Sequence, residues 1–120
     1  MATNAVQYGE VMVITAGSNI SSGAVVKVGG ILGVALTDIA SGSQGAIQIE
    51  GVFTVPKVSG AVIAQGESLT WDVSAGAFDD NAATPATGDV TGAPAVAMEA
   101  AGNGVTSFDV KFTGTPGTVA

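Results

Sequence analysis

Glycine recurs eighteen times in 120 residues, and the longest stretch without it runs only from Ala77 to Thr87. Inside a helix each glycine costs about 1 kcal/mol relative to alanine, whereas at a tight turn it supplies positive φ without strain. With 47% hydrophobic residues, the segments between glycines are apolar enough to be buried and too short for helices. The predicted fold class is all-β: a small single-domain β-sandwich or barrel-like fold of short strands and hairpins.

Periodicity locates the strands. Ile47, Ile49, Gly51, Phe53 and Val55 alternate with Gln48, Glu50 and Thr54, which predicts one central strand, closed by Pro56-Lys57. Phe108, Val110 and Phe112 share one face of a C-terminal strand, with Asp109, Lys111 and Thr113 on the other. Val25–Val28 and Ile31-Leu32 flank Gly29-Gly30, a two-residue loop suited to a hairpin. Glu10 to Thr15 and Leu69-Thr70-Trp71 read as further strands, and Ala93 to Ala101, interrupted by Pro94, reads as strand rather than helix. Ala77 to Thr87 carries Asp79-Asp80-Asn81 and Pro85 and is predicted to be a surface loop or one helical turn. Residues 1–9 form an extended N-terminal arm ahead of a single β-rich domain over 10–120.

Charge and composition narrow the function. Ten acidic residues against three lysines give a net charge of −7, which disfavours direct contact with nucleic acid or an anionic membrane. No run of apolar residues is long enough to span a bilayer as a helix, and Met1-Ala2-Thr3-Asn4 opens no basic-then-apolar leader, so the expectation is a product made in the cytoplasm.

Histidine, cysteine and arginine are absent, which removes Ser-His-Asp and Cys-His catalysis and the most common zinc ligands. Asp72, Asp79, Asp80 and Asp89 lie close in sequence, but their setting reads as exposed turns rather than a paired acid and base. Asp79-Asp80-Asn81 lacks the alternating ligands and central glycine of a calcium loop, and Gly29 to Gly33 lacks the Gly-Lys-Ser/Thr ending of a phosphate loop. No catalytic residue, cofactor or metal site is predicted. Trp71, with Phe53, Phe108 and Phe112, is assigned to the core or to a subunit interface.

Gly33-Val34-Ala35-Leu36-Thr37-Asp38, Glu50-Gly51-Val52-Phe53-Thr54-Val55-Pro56-Lys57 and Gly66-Glu67-Ser68-Leu69-Thr70-Trp71-Asp72 follow one another in an order that resembles the capsid decoration, or cement, proteins of tailed phages. The resemblance runs from about Val11 to Phe112. It implies a non-enzymatic virion protein, made in the host cytoplasm, that sits on the outer surface of the phage head and stabilises contacts between major capsid protein subunits. A homotrimer at threefold or quasi-threefold positions fits such a role, and the apolar excess favours self-association. Residues 75–92 look like the family's variable loop. In the arm, Ala2, Thr3, Asn4, Ala5, Val6, Gln7 and Tyr8 are the candidate capsid contacts. The alternative is a surface-displayed carbohydrate-binding or adhesin-like module using Trp71 and the acidic loop.

Overall fold

The computed structural model describes residues 9–120, and among these there is no helix. The strands, in chain order, are β1 (Val11–Thr15), β2 (Val25–Val28), β3 (Ile31–Ala35), β4 (Gln44–Gln48), β5 (Glu50–Pro56), β6 (Ser68–Asp72), β7 (Ala77–Asp79), β8 (Val90–Ala97), β9 (Ser107–Thr113) and β10 (Thr118–Val119). They form two antiparallel sheets. The smaller has the order β1-β4-β3-β2; the larger has the order β5-β9-β8-β6-β7, with β10 added alongside β8.

The alternation from Ile47 to Val55 is not one strand. It is β4 of the small sheet followed by β5 of the large one, with Ile49 at the crossing. Side chains keep their alternation through the crossing: Ile47, Ile49 and Val55 are buried while Glu50, Val52 and Thr54 are exposed. What changes is the hydrogen-bonding partner, from β1 and β3 before Ile49 to β9 after it. Ile49 N–H donates to the Glu10 carbonyl at 2.9 Å, which fixes the crossing against the start of β1.

The strand from Ser107 to Thr113 follows its period of two, with Phe108, Val110 and Phe112 buried in the large sheet. The hairpin predicted at Gly29-Gly30 joins β2 to β3 with Val28 opposite Ile31, and Gly29 takes the positive φ of 58° that the turn requires. β8 begins earlier than the alanine-rich segment suggests. Its pairing with β6 shifts register between Ser68 and Leu69, so that Ser68 lies opposite Val96 while Leu69 lies opposite Gly92, and Pro94 falls in the irregular stretch.

The segment from Ala77 to Thr87 departs from its predicted loop. Its first three residues are β7, paired with Thr70–Asp72 of β6. The turn between the two strands is built by Asp72, whose Oδ1 accepts the Ser74 and Ala75 amides while its carbonyl accepts the Gly76 amide. Val90 to Gly92, at the other end of the predicted variable loop, belong to β8.

A parallel bridge between Lys57 and Phe78 brings β7 back to the end of β5, so the large sheet curls into a barrel-like body. Its core holds Val55, Leu69, Trp71, Phe78, Val90, Ala97, Phe108, Val110 and Phe112. The small sheet has a separate aliphatic core of Ala16, Ala35, Ile39, Ile47 and Ile49. β3 joins the two: Leu32 and Val34 pack into the large core and Ala35 into the small one, the doubly buried setting expected of an unbroken apolar strand. Gly33 lets β3 pass close to its neighbour, since a Cβ there would lie 2.9 Å from the Gln48 carbonyl oxygen.

Candidate functional site

Phe78 is the centre of an aromatic cluster. Its ring lies 4.8 Å from Trp71, 6.0 Å from Phe112 and 6.4 Å from Phe108, each edge to face, and Phe112 continues to the half-buried Phe53 at 5.9 Å. Trp71 is only 7% exposed, so its ring faces the core and offers no platform for a ligand. Phe78 was absent from the sequence-predicted core. The signal that could have found it is the Asp72–Gly76 turn, which sends the chain back beside Trp71.

Most of the carboxylates accept backbone amides. Glu67 accepts the amides of Ala64 at 2.7 Å and Asn81 at 3.0 Å, tying two turns together. Asp38 accepts the Ser22 amide, Asp80 the Ala82 amide and Glu99 the Asp109 amide. The Ser74 hydroxyl, with the Ala75 and Ser74 amides, holds the Asp72 carboxyl below its ordinary 3.8. Asp89 is not the exposed turn residue that the sequence suggests. It is 4% exposed, with Oδ2 accepting the nearby Ala86 amide and Oδ1 the Val73 amide, a partner sixteen residues away that the sequence does not reveal. Among the described residues no group of carboxylates is arranged to hold a metal ion.

Two of the lysines are likewise spent inside the fold. Lys57 is buried, and its ammonium donates to the carbonyls of Val58 at 2.8 Å, Val105 at 3.1 Å and Ser59 at 3.3 Å. Lys27 reaches from β2 to the Gly88 carbonyl at 2.7 Å, joining the small sheet to the large. Lys111 stands exposed on the outer face of β9, opposite Val52 of β5.

Among the described residues a concavity lies in the small sheet. β1, the 16–21 connection and β2 enclose an open cleft of about 840 Å³. Met12, Ile14, Ile20, Val26 and Val28 line it, each only partly buried over the small core. Among the described residues β1 and β2 are the outermost strands of this sheet, so they wall the cleft from its two sides. The lining contains no carboxylate.

The family model for phage cement proteins matches residues 6–112. The chain belongs to that family. It is therefore a structural, capsid-associated phage protein, and the motifs that carried the resemblance fall on β3, β5 and β6. No curated protein matches the chain.

In this cement protein the matched region takes in the end of the arm and β1 to most of β9, and leaves β10 outside. The candidate capsid contacts Ala2 to Tyr8 lie outside the described residues. Of the four aromatic residues assigned to core or interface, Trp71, Phe108 and Phe112 are buried within the chain itself and Phe53 is half-buried. The exposed apolar side chains of the cement protein are elsewhere and include Val13 on β1, Val52 on β5, Val62 in the β5–β6 connection and Met98 after β8.

Proposed function

We propose that this chain binds the outer surface of a phage head and strengthens contacts between major capsid protein subunits, as a trimer at threefold or quasi-threefold positions. The observation that carries the reading is the cement-family match over residues 6–112. Physical chemistry supports it. A ligand that binds only the assembled shell shifts the equilibrium towards that shell, and a trimer engaging several subunits gains through effective concentration.

The arm, Ala2 to Tyr8, acts in this reading as an added strand on an edge of the capsid protein, where backbone hydrogen bonds supply affinity. Its uncharged sequence, without glycine or proline, supports that use. The acidic surface, with two of three lysines turned inward, favours a basic capsid surface opposite it. The carbohydrate-binding alternative loses its main support, because Trp71 is buried.

Cryo-electron microscopy of heads mixed with the recombinant protein tests this directly. Ordered density at threefold positions, with the arm crossing a subunit boundary, is the expected result. Bare heads at saturating protein would remove the reading. A chain lacking residues 2–8 is expected to fold and to lose most of its affinity for heads; undiminished binding would remove the arm from the mechanism.

A further inference from the structure

After β9 the chain turns at Gly114, whose φ is +72°, and runs back past the tip of the β2–β3 hairpin to lie along β8. Gly117 N–H donates to the carbonyl of Gly30, at the tip of the β2–β3 hairpin, at 2.9 Å. β10 then pairs with β8, Thr118 opposite Thr91 and Val119 opposite Val90. Finally Ala120 N–H donates to the Asp89 carbonyl at 2.9 Å, and Gly88 N–H donates to the Ala120 carbonyl at 2.8 Å. Gly88 is thus held from both sides, since its own carbonyl accepts Lys27 of β2.

Two glycines make this passage possible. A Cβ on Gly30 would lie 2.8 Å from the Gly117 carbonyl oxygen, and one on Gly117 would run into the Thr91 carbonyl oxygen and the Pro94 ring. The segment is nevertheless held almost wholly by backbone hydrogen bonds. Thr115, Pro116, Thr118, Val119 and Ala120 are all exposed, in contrast to the buried Phe112 that precedes them. A segment without buried apolar side chains opens far more readily than the core strands beside it.

The hairpin it restrains is attached to the rest of its sheet by a short ladder, Val34 opposite Gln48 and Ala35 opposite Ile47. β2, the outer strand of that hairpin, is one wall of the apolar cleft.

We propose that residues 114–120 are a releasable strap: docked, they pin the β2–β3 hairpin tip against β8; released, they free the tip and let the cleft wall formed by β2 move. The strap is a property of the free chain and does not depend on the capsid reading.

Hydrogen exchange tests it on three proteins: the full chain, a chain ending at Gly114, and Gly117→Ala, in which the strap is present but cannot seat. In both variants, exchange over residues 25–33 and 86–91 is expected to rise by about tenfold or more, while β5 and β9 stay as protected as in the full chain. Unchanged exchange in the hairpin, or an equal rise in β9, overturns the strap. In the full chain alone, the Gly117 and Ala120 amides are expected to exchange much faster than the Val110 amide of β9. Equal protection would mean that the segment does not release, and this holds as a test even if a variant fails to fold.

Discussion

The two sheets of this cement protein solve the burial problem in opposite ways. The large sheet curls until β7 meets the end of β5, fills its interior with Trp71, Phe78, Phe108 and Phe112, and satisfies the polar groups it buries. Among the described residues the small sheet has no aromatic side chain in its core and leaves Met12, Ile14, Ile20, Val26 and Val28 half-covered on or beside β1 and β2. In a molecule whose family works by attachment, the difference teaches where stability and contact are divided. The described residues of the large sheet hold the aromatic core, and those of the small one leave aliphatic side chains partly exposed, which poses the division of roles that the following substitutions test.

The division is most easily broken at Phe78. Its ring touches three other aromatic rings and is fully buried, so Phe78→Ala is expected to destabilise the whole protein by about 3–5 kcal/mol. Against a total of roughly 5–15 kcal/mol for a domain, that is a large share. Urea unfolding followed by Trp71 fluorescence measures it. A loss below about 1 kcal/mol would mean that the aromatic cluster is not what holds the large sheet.

Lys57 tests the polar side of the same region. Lys57→Met keeps most of the side-chain volume but leaves the carbonyls of Val58, Ser59 and Val105 without their shared donor. The expected loss is about 1–3 kcal/mol, smaller than at Phe78 because water can reach some of these oxygens once the joined loops part. Proteolysis should then begin within 58–60 or 102–105. Cleavage starting elsewhere would show that the ammonium does not pin these loops.

The small sheet should respond differently. Ile14 is half-covered at the cleft, so Ile14→Ala is expected to cost only about 1 kcal/mol in the free protein. If the cleft contributes to attachment, the same substitution reduces affinity for heads several-fold while stability barely changes. A stability loss as large as that at Phe78, with attachment untouched, would reverse the roles assigned to the two sheets.

These roles were only partly legible in the sequence. The burial of Phe108, Val110 and Phe112 follows from a period of two, and the β2–β3 hairpin follows from Gly29-Gly30, because both signals are local. The exchange of sheets at Ile49 left no trace, since alternation records which face a side chain takes and not which strand its backbone bonds to. Phe78 was hidden because Asp79, Asp80, Asn81 and Pro85, which follow it, marked its segment as a loop, while the Asp72–Gly76 turn that precedes it returns it to Trp71. Asp89 was misplaced for a related reason: the Ala86 amide is a local turn contact, but the Val73 amide, sixteen residues away, is brought to the same carboxylate only by the fold. The cleft is a product of sheet topology, and nothing in the residues of β1 or β2 alone announces it.

The smallest expected effect concerns Asp72, at the turn that makes β7 part of the large sheet. The Ser74 hydroxyl and the Ala75 and Ser74 amides favour its charged form, so its folded pKa lies below the ordinary 3.8. Between the two values the unfolded chain binds more protons than the folded one, and stability rises with pH. The contribution is therefore fully present above the unfolded value and is lost as pH falls through the folded one. Asp72→Asn retains an oxygen that can accept the same amides but cannot titrate. The carboxylate is largely exposed, so solvent screening keeps the effect small. The difference in Tm between the native chain and Asp72→Asn should be measurable at pH 5 and should shrink on acidification below 3.8. A difference that is the same at pH 5 and pH 2.5 would show that the turn depends on the geometry of the acceptor and not on its charge, and would leave the large sheet's closure at β7 independent of pH in this range.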